Sequence, residues 1–467
     1  MSISFAPLLP RIVSFLMKTN SDARTIALDV LTRVDQGAYA DLALDAALTR
    51  LTHLDPRDKG LATELVYGVL RQRGRLDFAL GRLCHQPFEK IESKIRNILR
   101  IGAYQMLQLE RVPVSAAVNT AVELARAAQL ERATGFINGI LRSLGRTQGE
   151  IPWPDPEHEP LRHLIDVLSL PEWLAARWLA EYEAEGAIEL AAAMLAPAPF
   201  TVRVNTLLIS RAEFLAALAE DGHGAEACTY SPDGVIIRER GTSPLSGHNE
   251  GWFQPQDEAS QLIARLLDPR AGDEILDACS APGGKTTHIA ALTANRATIL
   301  ACDLHPQRVQ MVAGGARRLD AQGITTRACD LTAPPKDLAA SRFDRVLLDA
   351  PCSGLGVLRR NPEIRWRRSP ESISEMAAEQ GRLLRSCAKM VKVGGILLYS
   401  VCTLTPEETQ DVIAPFLSEH PEFARDDLRS FFPEWSELFD EQGALATFPQ
   451  RHKGMDAFWA VRLRRVG

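Results

Sequence analysis

The sequence predicts a multidomain chain: an all-α N-terminal bundle, a small α+β module, and a C-terminal α/β domain on a mostly parallel sheet. Three observations lead there. Length is the first, because 467 residues exceed one ordinary domain and fit two to four. Next, apolar residues recur at helical spacing from about 20 to 147. Finally, from about 250 onward strand-like runs alternate with helical stretches, as βαβ units around a parallel sheet do. Composition, 46% hydrophobic and 24% charged, is that of a soluble globular protein. No apolar run reaches the roughly 18 residues needed to span a bilayer, so no membrane partner is expected.

Taken in order, residues 1–19 read as a disordered or extended N-terminus. They are apolar but broken by Pro7, Pro10 and Arg11, lack an A-x-A-like cleavage site, and leave Met17 as an internal start. Residues 20–150 form the helical domain. There "IRNILRIGAYQMLQL" puts Ile95, Ile98, Leu99, Gly102 and Met106 on one face, and a new helix restarts after Pro113 with Ser115 as its N-cap. Arg71, Arg73, Arg75 and Arg82 cluster between, either as a solvated helix face or as a surface for a polyanion. The Pro-rich, acidic "EIPWPDPEHEP" ends that domain near 150. Residues 151–250 continue as a helical linker and a small α+β module, with "FTVRVNTLLISRAEFLAALAEDG" a strand then a helix and "DGVIIRE" a second strand. Residues 251–467 form the α/β domain. Charge is uneven along this order. Residues 1–150 carry 20 Lys/Arg against 15 Asp/Glu, and the remainder 33 against 44, so a net +5 precedes a net −11. A basic N-terminal third points to a polyanionic partner.

The eight cysteines contain no C-x-x-C pair, so neither a metal site nor a disulfide framework is expected, and reduced cytoplasmic thiols fit best. "EILDACSAPGGKTTHIAALT" reads as a strand, a Gly-Gly turn and a helix, and Gly283 and Gly284 allow a sharp turn and close approach to a ligand. Gly284, Lys285 and Thr286 imitate a phosphate-binding loop, but that loop needs glycine where Cys279 stands. The following strands end on Asp303, Asp330 and Asp349, which lines the carboxyl edge of the sheet with acids. Asp303, about twenty residues after the turn, suits ribose hydroxyls. The set fits a methionine-derived sulfonium cofactor, with no pyrophosphate to cradle.

Two thiols follow apolar strands, Cys352 in "LLDAPCSGLG" and Cys402 in "LLYSVCTLTPEE". Cytosine C5 is too weak a nucleophile to take a methyl group unaided. Adding a thiolate to C6 converts the ring into an enamine whose C5 is electron-rich. Either cysteine suits that role. Cys402 stands just before a predicted capping box, Thr405 to Glu408 with Pro406 at the first helical position, where a helix N-terminus lowers a thiol pKa. Cys352 stands in an exposed Gly-rich loop. Cys84, Cys228 and Cys387 read as small buried hydrophobes.

"DACSAPGGKTTH", "LLDAPCSGLGVLRRNPEIRW" and "LLYSVCTLTPEE" resemble the cofactor, fourth and sixth motifs of the RNA cytosine-5 methyltransferases, and the likeness runs over roughly 200–467, including "FTVRVNTL" and "FQPQDEASQL". The resemblance implies a Rossmann-like domain with a seven-stranded sheet that uses S-adenosylmethionine. It makes Cys402 the nucleophile and Cys352 the group that assists product release, whereas DNA cytosine-5 methyltransferases attack with the proline-cysteine thiol. It places the cofactor against Cys279, Ser280, Ala281, Pro282, Gly283, Gly284, Lys285, Asp303, Asp330 and Asp349, with Asp349 and Pro351 also bordering the target base. Val401 stands where the family often has threonine, and Asn361 where His-Pro is usual.

"VLRRNPEIRWRRSP" carries five arginines and Trp366, suited to phosphates and to stacking on an unpaired base, or to capping the next helix. "LRIGAYQMLQLERVPVSAAVNTAVELAR" and "GFINGILR" are similar to the NusB-type antitermination factors, small helical RNA-binding bundles. Fused to the catalytic half, this implies one cytosine of small-subunit (16S) ribosomal RNA as the substrate, flipped or single-stranded. A cytoplasmic monomer is expected. A transfer-RNA cytosine-5 methyltransferase and a non-catalytic RNA-binding or antitermination protein are the alternatives.

Overall fold

The computed structural model describes residues 22–51, 54–241 and 245–467, so the expectation for 1–19 lies outside the described residues. The chain divides into two compact units, up to Leu170 and from Pro171.

The first unit is helical, as the periodicity predicts. Ser93–Gln108 buries Ile98, Leu99 and Ile101 against Leu65, Leu76 and Leu141. Gly102 is the close-packing point of that helix, since a Cβ there would lie 2.6 Å from Leu141 Cδ1. The next helix, Val114–Ala127, starts two residues earlier than expected. Pro113 takes the extended N-cap conformation itself, and Ser115 sits inside the first turn. The arginine cluster is not a plain solvated face. Burial holds Arg71 below its ordinary pKa and Arg73 down to about 10. Arg100 is buried and makes two 2.7 Å bonds to Asp77. The unit also runs past the Pro-rich break at 150. Trp153 packs on Phe78 at 5.5 Å with the Arg75 guanidinium 4.7 Å over its ring. Gly74 N–H donates to Ser169 Oγ at 2.7 Å, so the first twenty residues of the expected linker belong to the helical unit.

The second unit opens with the helix Glu172–Leu195 and a four-stranded antiparallel sheet. Its strands are β1 (Phe200–Val204), β2 (Gly224–Ala227), β3 (Gly234–Glu239) and β4 (Phe253–Pro255), in the order β2-β3-β1-β4. The larger sheet holds β5 (Glu274–Asp277), β6 (Thr298–Asp303), β7 (Ile324–Ala328), β8 (Phe343–Asp349), β9 (Val391–Val401), β10 (Phe423–Arg425), β11 (Leu445–Ala446) and β12 (Trp459–Arg465). Seven strands run in the order β10-β12-β9-β8-β5-β6-β7, and the two-residue β11 pairs with β12. The pairs among β5 to β9 are parallel, while β12 joins β9 and β10 antiparallel. Both faces are covered, which is why the strands read as unbroken apolar runs. Val346, Leu348, Leu397 and Tyr399 enter one core and Leu347, Ile396 and Leu398 the other, the period of two expected of strands.

Strand order turns at β5, which lies between β6 and β8. The chain lays down β6 and β7 on one side and then crosses to β8 and β9 on the other. Such a switch opens a crevice at the carboxyl ends of the central strands, and ligands bind there. Among the described residues no helix is long and apolar enough to cross a membrane, and no group of His, Cys, Asp or Glu could hold a metal ion.

Candidate active site

On the β5–β6 side of the crevice, the Gly-rich loop folds by short-range bonds. Ser280 N–H and Oγ both donate to Cys302 O at the end of β6, and Gly283 N–H donates to Ser280 O at 2.8 Å. Ala281–Pro282 is a cis bond. Gly283 sits at φ +105°, and a Cβ on it would come within 3.1 Å of Val312 Cα, so glycine is needed on both counts. The helix Gly284–Leu292 follows directly, with left-handed Gly283 as its N-cap and no side chain on its first amides, and a helix N-terminus suits a ligand carboxylate. Asp303, buried at the end of β6, accepts from His305 N–H at 3.2 Å and Ala281 N–H at 3.4 Å. Asp330 stands apart. Its exposed carboxylate closes its own turn on the Thr332 amide and hydroxyl at 2.8 and 2.7 Å. Burial pushes the Cys279 thiol well above its usual pKa, so it stays neutral.

Two residues outside the sequence-based set complete this side. Asp277, the last residue of β5, accepts from Thr286 Oγ1 at 2.6 Å through one oxygen, while the other is buried without a partner. Burial raises its carboxyl to about 7. An orphaned carboxylate oxygen beside a glycine cradle fits a cationic ligand, which a sulfonium cofactor with an ammonium group is. Arg203, fully buried on β1, donates to Gly284 O and Gln256 Oε1 and, at 3.0 Å, to Thr287 Oγ1. The small module thus braces the cofactor loop. Arg203 was visible in "FTVRVNTL" only as one arginine in a strand, and nothing local marked it.

On the β8–β9 side, Asp349 ends β8 and pairs in register with Ser400 of β9. Its two oxygens take Lys285 Nζ at 2.6 Å and Ser400 Oγ at 2.7 Å. Burial alone would lower the Lys285 pKa, but the Asp349 carboxylate more than offsets it and holds the ammonium charged. Lys285 therefore faces the thiol side of the crevice rather than closing the glycine loop. The two sulfurs meet here, with Cys352 Sγ 3.2 Å from Cys402 Sγ. The hydrogen bond to Cys402 and burial, with the charges of Cys402, Glu408 and Asp349, raise the Cys352 thiol well above its usual pKa. The loops are stitched as well. Gly356 N–H donates to Cys402 O at 2.9 Å and Ser353 Oγ to Thr403 Oγ1 at 3.0 Å.

The capping box expected after Cys402 is not formed. Pro406–Glu408 is a single 3-10 turn whose Thr405 makes no side-chain cap, and the α-helix Gln410–Glu419 starts later. The reason is that Glu408 is drawn into the core: it is 0% exposed and its carboxylate takes Ser353 N–H and the Thr405 hydroxyl, each at 2.7 Å, while Thr405 N–H turns to Thr403 Oγ1. The arginines after Cys352 are mostly internal too. Arg359 and Arg360 bind Asp456 at 2.7 and 2.5 Å, Arg365 reaches Met194 O at 3.1 Å, and Arg368 Nε reaches Ser353 O at 2.8 Å. They hold the thiol loop in place, and the following helix, Pro370–Ala388, is capped by Ser369 instead.

Comparison with known proteins finds three matched segments. Residues 264–464 match the family of the 16S rRNA methyltransferase RsmB/F, residues 170–242 its ferredoxin-like domain, and residues 21–146 the NusB family. The probable ribosomal RNA small subunit methyltransferase B of Bacillus subtilis (strain 168) is 36% identical, over 97% of this chain and all of the relative. The ribosomal RNA small subunit methyltransferase B of Pseudomonas putida is 36% identical over 89% of this chain and 93% of that one. The crystal structure of PH0851 superposes with a TM-score of 0.80 at 26% identity, over 96% of this chain and all of that one.

Proposed function

The chain belongs to the 16S rRNA methyltransferase RsmB/F family, and from that premise we propose that it methylates C5 of one cytosine in small-subunit ribosomal RNA through a covalent adduct of Cys402. The observation that carries this reading is the pair of sulfurs 3.2 Å apart at the carboxyl edge of the sheet, beside the Asp349–Lys285 ion pair. S-adenosylmethionine supplies the electrophilic methyl group. Asp277, Asp303 and the loop Cys279 to Gly284 are the residues that would hold it, with Lys285 and Asp349 at its thiol-side edge.

Cys352 keeps its proton, because its thiol is raised by the neighbouring sulfur and by burial. Cys402 gives its own proton to solvent as it attacks. Cys402 Sγ bonds to C6, and the electron pair of the C5–C6 double bond moves into the ring. Lys285, kept cationic by Asp349, stabilises the charge that develops there, and Asp349 and Pro351 face the polar edge of the base. Once Cys402 is a thioether, the Cys402 interactions that raised the Cys352 pKa, its hydrogen bond first, are gone. Cys352 can then lose its proton to solvent and act as the base in the second half. It takes the hydrogen from methylated C5, that bond's electrons restore the double bond, and the C6–S bond breaks with its pair returning to Cys402.

Incubation with methyl-labelled S-adenosylmethionine and transcripts of small-subunit ribosomal RNA or transfer RNA tests the reading. Label in 5-methylcytosine of the ribosomal transcript supports it. Label only in transfer RNA, or in neither, overturns it. The protein is proposed to work as a monomer in the cytoplasm.

A further inference from the structure

A buried carboxylate joins the two sulfur-bearing loops without touching either sulfur. Glu408 Oε1 accepts from Ser353 N–H at 2.7 Å and from Gln380 Nε2 at 3.0 Å, and Oε2 accepts from Thr405 Oγ1 at 2.7 Å. Its carbonyl takes the Tyr399 hydroxyl at 2.7 Å. Ser353 is the residue after Cys352, and Thr405 closes the loop that starts at Cys402. Gln380 adds a second link, since its amide also donates to Pro351 O at 2.9 Å. One buried side chain thus collects donors from the β8 loop, the β9 loop and the helix Pro370–Ala388, with no solvent contact.

We propose that Glu408 is a positioning residue, holding Cys352 and Cys402 at the close separation that both halves of the reaction use. This rests on the two-thiol mechanism above. A purely architectural carboxylate could sit anywhere in the core. This one grips the amide next to one reactive sulfur and the loop of the other. Its charge also adds to the forces that keep the Cys352 thiol neutral, after the Cys402 hydrogen bond and burial.

The test uses the full chain, E408A and E408Q, and a ruler that needs no RNA. Diamide oxidises two adjacent thiols to a disulfide, taking up their two protons and two electrons to become a hydrazine. The Cys352–Cys402 disulfide is expected to close readily in the wild type and about tenfold more slowly in E408A, with S-adenosylmethionine affinity unchanged. E408Q keeps an acceptor for Ser353 and Gln380, so closure stays near the wild-type rate. Its alkylation midpoint at Cys352, read by peptide mass spectrometry, moves to lower pH because the nearby negative charge is gone. In turnover, E408A lowers kcat with KM for RNA unchanged. Wild-type closure or wild-type kcat in E408A overturns the proposal. Should E408A not fold, the E408Q midpoint decides, and no shift overturns it. The disulfide and alkylation readouts are independent of methyl transfer, so they stand even where the functional reading fails.

Discussion

The two sides of the crevice are built by different kinds of contact. On the β5–β6 side, backbone amides and carbonyls within a short stretch fold the glycine loop, and Asp303 caps amides at residues 281 and 305. On the β8–β9 side, side chains from sequence-distant segments converge: Cys352 on Cys402, Ser353 on Thr403, Lys285 on Asp349. The difference separates two tasks. A loop made of backbone holds a ligand in one place with little motion, whereas side chains that share protons can change charge during a reaction. Binding and chemistry therefore sit on opposite banks, and substitutions should divide accordingly.

The largest expected effect is C402A. Methyl transfer should fall by about 10³-fold or more and no protein–RNA adduct should form, while S-adenosylmethionine binding by calorimetry stays as in the wild type. Loss of cofactor binding would break the comparison. Next, C352A should slow turnover by roughly 10²-fold and leave adduct trapped on denaturing gels, since the base for the second half is missing. Adduct in C402A instead would exchange the roles of the sulfurs. On the other bank, R203M should weaken cofactor affinity by about tenfold, since the Gly284 carbonyl loses its charged donor, and leave the rate at saturating cofactor close to the wild type.

The smallest effect is the most diagnostic. Asp277 has a folded pKa raised to about 7 from 3.8, so the folded state binds that proton more tightly than the unfolded chain. Its stabilising contribution is fully present below the unfolded value and is lost as pH rises through 7. Urea midpoints between pH 5 and 8 should show a loss on the order of 2 kcal/mol that D277N flattens. A cation settling against the orphaned oxygen should also expel the proton. Cofactor binding near pH 7 should then release a fraction of a proton in the wild type and none in D277N, measured in buffers of different ionisation enthalpy. Equal release in both would remove Asp277 from the cofactor site.

The same division explains what could be read from the residues alone. Gly283, Gly284 and Asp303 announce themselves, because a positive-φ turn and an acid at the next strand end are local demands. The alternation of Val346, Leu347 and Leu348 between two cores likewise follows from strand geometry. The helical unit showed its periodicity but not its end, because Ser169 closes on Gly74 across 95 residues. Glu408 was read as part of a capping box, a local role for its spacing from Thr405; it does bond the Thr405 hydroxyl, but its other oxygen takes the Ser353 amide 55 residues away. The arginines after Cys352 looked like a phosphate-binding run because Asp456 and Asp257, which neutralise Arg360, are remote in sequence. Asp277 was passed over because it precedes the glycine turn inside an apolar strand, where an acid draws no notice until its burial is known.

Asp349 and Ser400 lie on the same rung of neighbouring parallel strands, so the loops leaving those strands start at equal height. Transferring the attack from one sulfur to the other would ask for no new topology, only a rewiring of the acids and amides around them. A scaffold of this kind can trade its reactive atom between adjacent strands by point substitution over evolutionary time. Moving the methyl donor to the opposite bank would mean rebuilding the sheet.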